Sequence, residues 1–116
     1  MARSAIPSPL ERRHLIEREA TPEQSRKLAE LYLAEGRDWE AIAFLAKAGD
    51  RERLAALRET AMIAGDTFLV RDITRALRDE VSAEAWRRVA QAATEQGKEL
   101  FAAQAMRRGE RAEGHA

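Results

Sequence analysis

The segment Leu28–Ala48, LAELYLAEGRDWEAIAFLAKA, carries the clearest structural signal in the chain. Before Gly36, apolar residues recur at the three- and four-residue spacing that marks one face of a helix. After the glycine, the segment Trp39–Ala48 has only Glu40 and Lys47 as polar residues, which indicates a helix buried on several sides. Because glycine tolerates the left-handed backbone at a helix end, the stretch predicts two helices joined by a tight turn.

Residues that typically start and end helices recur along the rest of the chain. Capping-box residues occur at Ser8 and Thr21, further N-cap candidates at four positions, and glycine at five positions suited to helix C-termini. Alternating apolar residues never persist, so no strand is predicted. The four N-cap candidates are Asp38, Asp50, Asp66 and Ser82, and the glycines are Gly36, Gly49, Gly65, Gly97 and Gly109. These signals predict seven helices, near residues 9–19, 22–35, 39–48, 51–64, 67–80, 83–96 and 98–108.

A local pattern recurs three times: a glycine is followed, three positions later, by a large apolar residue. The successive glycines lie 29 and 32 residues apart. A period near 30 with a helix on each side of every glycine is typical of stacked helical hairpins, an α-solenoid. The three pairs are Gly36 with Trp39, Gly65 with Phe68, and Gly97 with Leu100.

The first unit resembles the tetratricopeptide repeat (TPR) family at its small, aromatic and alanine positions. The third unit matches in part, whereas the second has Arg58 at a small-residue position and Thr74 at an aromatic one. The period is also shorter than the family's repeat of about 34 residues. The matching residues of the first unit are Leu28, Ala29, Tyr32, Gly36, Trp39, Ala41, Ile42, Phe44, Leu45 and Ala48.

The resemblance implies an all-α, right-handed, TPR-like α-solenoid of three stacked antiparallel hairpins with an N-terminal capping helix. A more divergent α-solenoid or a compact helical bundle is the alternative arrangement. The expected organisation is one helical-repeat domain at residues 9–109, between a flexible N-terminus at 1–8 and a flexible tail at 110–116. Both tryptophans, Trp39 and Trp86, and both internal methionines, Met62 and Met106, are predicted to pack in the core.

Repeats of this family are similar to peptide-binding scaffolds in which the first helix of each hairpin lines a concave groove. By that resemblance, the chain is expected to be a non-catalytic protein–protein interaction module, an adaptor or scaffold that binds a peptide or protein surface. There is no asparagine in the chain, so a groove that grips a C-terminal carboxylate is not expected. The candidate partner-binding residues are Arg26, Lys27, Glu30, Leu33, Glu59, Met62, Ile63, Arg87 and Gln91.

The composition disfavours several other classes of function. Twenty basic and twenty acidic residues give zero net charge, which disfavours a dedicated nucleic-acid binder. The chain has no cysteine, and its two histidines, His14 and His115, lie far apart in sequence. No catalytic constellation, metal site or nucleotide-binding motif is present, so neither enzymatic activity nor a cofactor is expected.

Two alternatives to the adaptor remain at this point. One is a self-associating structural subunit, a homodimer formed through apolar surface. The less favoured one is an RNA- or DNA-binding helical domain that uses arginine pairs. No apolar run approaches the roughly 20 residues of a membrane span, and no secretory signal is evident, so a cytoplasmic location is expected. The arginine pairs are Arg12-Arg13, Arg87-Arg88 and Arg107-Arg108.

Overall fold

The computed structural model describes residues 6–12 and 21–114, and the regular secondary structure of these residues is entirely α-helical. Residues 9–12 are helical, and His14 and His115 lie outside the described residues. The all-α prediction is therefore confirmed. Six further helices follow: α1 (Pro22–Ala34), α2 (Asp38–Ala48), α3 (Arg51–Ile63), α4 (Thr67–Leu77), α5 (Ala83–Glu95) and α6 (Glu99–Gly114).

Most of the predicted N-caps operate as the sequence indicates. The Thr21 hydroxyl accepts from the N–H of Gln24, and the Gln24 side chain accepts from the N–H of Thr21, which completes a capping box before α1. Ser82 accepts from the N–H of Ala85 at the start of α5. The predicted cap at Asp38 is wrong: Arg37 is the N-cap residue and Asp38 is already helical.

The turns that follow α1, α2, α3 and α5 share one geometry. The glycine of the turn has a φ of 72° at Gly36, 69° at Gly49, 69° at Gly65 and 73° at Gly97. The residue after each glycine donates its N–H to the carbonyl oxygen five positions earlier, at 2.8 to 3.0 Å, as in a Schellman motif. Glycine therefore ends these four helices as predicted, and because the same turn also follows α2, its geometry alone does not mark the 30-residue repeat.

The described residues divide into two compact units between Leu54 and Ala55. In the first unit, α1 and α2 pack as an antiparallel hairpin. The Tyr32 ring stacks on Phe44 with their centroids 5.5 Å apart, and the Arg37 guanidinium lies over the Tyr32 ring, 5.0 Å from its centroid. The buried apolar residues of this unit are Ala29, Tyr32, Ala41, Ile42, Phe44, Leu45, Ala48 and Leu54.

In the second unit, α5 and α6 form the most extensive helix pair, and α4 packs against both. Small residues allow close approach: a Cβ built on Gly65 would lie 2.5 Å from the backbone nitrogen of Ala93. Phe68 and Phe101 meet edge to face, with centroids 5.2 Å apart. The buried apolar residues are Ala61, Leu69, Val70, Ile73, Leu77, Ala85, Trp86, Val89, Ala90, Ala93, Ala102 and Ala105.

Several sequence-based expectations are wrong in detail. Trp86 is buried as predicted, but Trp39 is 53% exposed and Met106 is 57% exposed, so neither is a core residue. Gly109 does not end a helix; it is buried inside α6, against Trp86. The last helix continues to Gly114, past its predicted end at residue 108, and α4 ends at Leu77 instead of near residue 80.

Candidate functional site

An apolar cleft lies on the second unit, between α5 and α6, with a volume of about 340 Å³. Its floor includes Ala90, which is buried, and one wall is the exposed side chain of Met106. Thr94 turns its hydroxyl back to the carbonyl of Ala90, at 2.9 Å, and so presents mainly its methyl group. The cleft therefore offers a small-residue trough beside a flexible thioether side chain.

The rim of the cleft consists of polar side chains that are held by a hydrogen bond and an ion pair. Gln91 donates to Glu95, at 3.3 Å, one turn along α5. Arg87 forms an ion pair with Glu113 near the end of α6. An apolar floor within a rim of hydrogen-bonding groups is the arrangement found at protein interfaces, where the rim sets register and the floor contributes most of the binding free energy.

The structure places two of the predicted groove residues, Arg87 and Gln91, together at this cleft. In α3, Ile63 is 71% exposed, Glu59 is exposed and Met62 is half-buried. The carbonyl of Ile63 accepts from the Gln96 side chain, at 3.3 Å, so the end of α3 is held beside the end of α5.

The four candidates on α1 belong to the first unit. Arg26 pairs with Asp50 at 3.4 Å, and Glu30 accepts from Arg53 at 3.0 Å. Lys27 is exposed and Leu33 is half-buried. Arg26 and Glu30 are thus engaged in tying α1 to the start of α3, although both remain accessible at the surface.

Sequence reasoning missed Met106 as a surface residue. Met106 fits the apolar spacing with Ala102, Ala105 and Gly109, so the helical template places it in the core. The buried face of α6 is instead centred on the other side of that stripe, where Phe101 and Ala112 are partly covered. If Phe101 and Ala112 are included in the apolar stripe, Met106 lies at its edge, and an exposed side chain is then the expected result.

In residues 6–12 and 21–114, no three His, Asp or Glu side chains converge to hold a metal ion. No helix among these residues is both long and apolar enough to cross a membrane.

Comparison with known proteins adds no assignment to this geometry. The chain matches no family model, no curated protein and no solved structure.

Proposed function

We propose that the protein is a non-catalytic interaction module that binds an amphipathic helix of a partner protein in the cleft between α5 and α6. The observation that carries the proposal is the pairing of an apolar floor at Ala90 and Met106 with the polar rim of Arg87 and Gln91. Two of these four residues are also candidates from the sequence.

A helix is the ligand that suits this shape best. Two antiparallel helices leave a groove parallel to their axes, and a third helix packs into such a groove at an interaxial distance of about 8–10 Å. Close approach requires small residues on the floor, and Ala90 and Thr94 provide them one turn apart. Met106 adapts its shape to the apolar residue that a partner inserts.

We further propose that the six helices form three hairpins stacked as a TPR-like α-solenoid, with a concave groove that continues along the first helices. Support comes from the spacing of 29 and 32 residues between Gly36, Gly65 and Gly97, each of which follows a helix. In that arrangement the exposed residues Lys27, Glu59 and Ile63 extend the binding surface beyond the cleft.

The test places a photo-crosslinking amino acid at Met106 and, in a matched control, at Arg88, which is exposed on α5 but outside the cleft. Crosslinking is performed in cells that make the native protein, and the attached peptides are identified by mass spectrometry. We expect adducts at Met106 that map to one segment with apolar residues at helical spacing, and none of that segment at Arg88.

The affinity for a synthetic peptide of that segment then distinguishes specific binding in the cleft from non-specific apolar association. Met106→Glu introduces a charge into an apolar contact and should weaken binding by about tenfold or more. Leu100→Glu changes an exposed apolar residue of the same helix outside the cleft and should leave affinity unchanged within about twofold. Equal losses in both variants, or adducts formed only with a second copy of this chain, would contradict the proposal.

A further inference from the structure

A second and larger cavity, of about 730 Å³, lies elsewhere in the second unit. It is walled by the end of α4, the segment that leads to α5, the first turn of α5 and the C-terminal half of α6. Small-molecule sites typically have volumes of about 300–1,000 Å³, so the cavity has the capacity of a ligand site. It does not share its lining with the cleft, and the proposed interaction function makes no use of it.

Three guanidinium groups line this cavity, those of Arg71, Arg75 and Arg108. Arg108 lies over the Trp86 ring, with Cζ 5.6 Å from the ring centroid, and Arg71 lies over Phe68 at 5.1 Å. Cation–π contact with these rings restricts the positions of two guanidiniums. A guanidinium that is already held in place binds an oxyanion with a smaller loss of conformational freedom.

The carboxylates around the cavity are mostly engaged with other cations. Asp79 accepts from Arg58 at 2.9 Å, and Glu113 pairs with Arg87. Asp72 holds the Nε of Arg71, at 2.9 Å, which leaves the outer nitrogens of that guanidinium for another acceptor. Of the carboxylates that line the cavity, Glu80 alone has no ion pair within the described residues.

Arg75 and Arg108, by contrast, lack a carboxylate at ion-pair distance within residues 6–12 and 21–114. The Nε of Arg108 is buried and has no hydrogen-bond acceptor. Desolvation lowers the pKa of Arg108, and the charges of Arg71, Arg75 and Arg111 lower it further. A buried donor without a partner, among cations that repel one another, is costly unless an anion is present.

The first turn of α5 adds to the positive potential. Ser82 and Ala83 form part of the cavity wall, and α5 is 13 residues long. The first N–H groups of a helix have no intrahelical partner and carry the positive end of its dipole. An oxyanion in the cavity would therefore meet guanidinium donors from two helices and the amide end of a third.

We propose that this cavity binds a phosphate group, either as free inorganic phosphate or as part of a small phosphorylated molecule. Arg75 and Arg108 donate to the phosphate oxygens, and Arg71 contributes through the nitrogens that Asp72 leaves open. The apolar walls at Val81, Trp86 and Ala112 accommodate the carbon skeleton of an ester.

The test follows the indole N–H signal of Trp86 by NMR while inorganic phosphate, glucose 6-phosphate or AMP is added at constant ionic strength set with chloride. We expect a saturable shift with at least one of the three probes, at a Kd below about 1 mM. Saturation with inorganic phosphate identifies the free anion as sufficient, whereas saturation only with an ester assigns a role to the apolar walls. No saturation with any probe would overturn the proposal.

Two variants and one control localise the site. Arg75→Gln removes an exposed cation and should weaken binding about tenfold, as expected for loss of a charge-assisted hydrogen bond. Arg108→Met keeps an unbranched apolar stem beside Trp86 and should abolish the shift, provided that circular dichroism shows a native helix content. Arg88→Gln removes an exposed arginine outside the cavity and should change nothing. Equal weakening by Arg75→Gln and Arg88→Gln would overturn the proposal in favour of non-specific attraction.

Discussion

Two glycines that end helices, Gly36 and Gly65, have very different surroundings. Gly65 has a positive φ and lies so close to α5 that a Cβ atom would reach within 2.6 Å of the Ala93 Cα. Gly36 has nearly the same φ, yet a Cβ there would meet no atom within 4 Å. Gly36 is therefore required only by its backbone conformation, whereas Gly65 is required by its backbone conformation and by the close approach of α5.

Substitution of these two glycines by alanine should give unequal losses of stability. Gly36→Ala introduces a left-handed alanine and should lower the free energy of unfolding by about 1–2 kcal/mol. Gly65→Ala adds overpacking against α5 and should lower it by about 3 kcal/mol or more. Urea unfolding followed by circular dichroism measures both, and equal losses would show that the approach of Ala93 is not constraining.

The Glu40 carboxylate makes the first unit sensitive to acid. Partial burial raises its pKa, but hydrogen bonding to its own backbone N–H and the cations Arg37 and Arg12 lower it more, so the pKa lies below its ordinary value. A lowered folded-state pKa adds stability above the unfolded-state value, near 4.3, and that stability is lost as the pH falls through the folded-state value.

Glu40→Gln should therefore lower stability at pH 7 and flatten the dependence of stability on pH below about 5. Urea midpoints measured between about pH 3 and 7 test this expectation. Glu59→Gln is the control, because Glu59 is exposed and has no ion pair among the described residues. This variant should show the same dependence of stability on pH as the parent protein. A Glu40→Gln profile parallel to the parent's would contradict the assignment.

At the scale of the helix, the sequence predicted where elements begin better than where they end. Serine and threonine caps are local, since the cap and the amide that it binds lie three residues apart. The end of α4 is different: Arg78 takes a left-handed conformation, with a φ of 52°, and closes the helix without a glycine. No glycine or proline marks that turn in the sequence, so the helix was predicted to continue to residue 80.

The caps themselves are open to a matched test. Ser82→Ala removes the hydroxyl that binds the amide of Ala85 and should lower the free energy of unfolding by about 1 kcal/mol. Asp66 is the N-cap of α4 but its side chain makes no cap hydrogen bond, so Asp66→Ala should cost less than about 0.5 kcal/mol. Chemical denaturation measures both, and a larger loss at Asp66 would contradict the cap assignment.

At the scale of the whole molecule, helix content, the glycine turns and most core residues follow from the sequence, but the phosphate cavity does not. That cavity depends on the early end of α4, which frees residues 79–82 to form a wall, and on the face of α6 that places Arg108 in the lining. Of the cleft residues, Arg87 and Gln91 were predicted through the resemblance to tetratricopeptide repeats, whereas Met106 matched a core pattern and was predicted to be buried.

The balance of charge predicts the colloidal behaviour of the chain. With a net charge of zero at pH 7, no long-range repulsion keeps molecules apart, so solubility should be lowest near neutrality and rise on either side. The double variant Lys27→Glu, Arg88→Glu makes the net charge more negative at two exposed positions and should move the solubility minimum to lower pH. Static light scattering from about pH 4 to 9 tests this, and a minimum that stays near pH 7 in the variant would exclude net charge as its cause.

The different burial of the two tryptophans has a practical consequence. Trp39, half in water, belongs to the first unit, and Trp86, 6% exposed under a guanidinium, belongs to the second. An indole in water emits at longer wavelength than a buried one. The tryptophan of each unit should therefore have its own emission maximum, at longer wavelength for Trp39 than for Trp86. With Trp39→Phe and Trp86→Phe versions in hand, the unfolding of either half can be watched optically without attaching any dye.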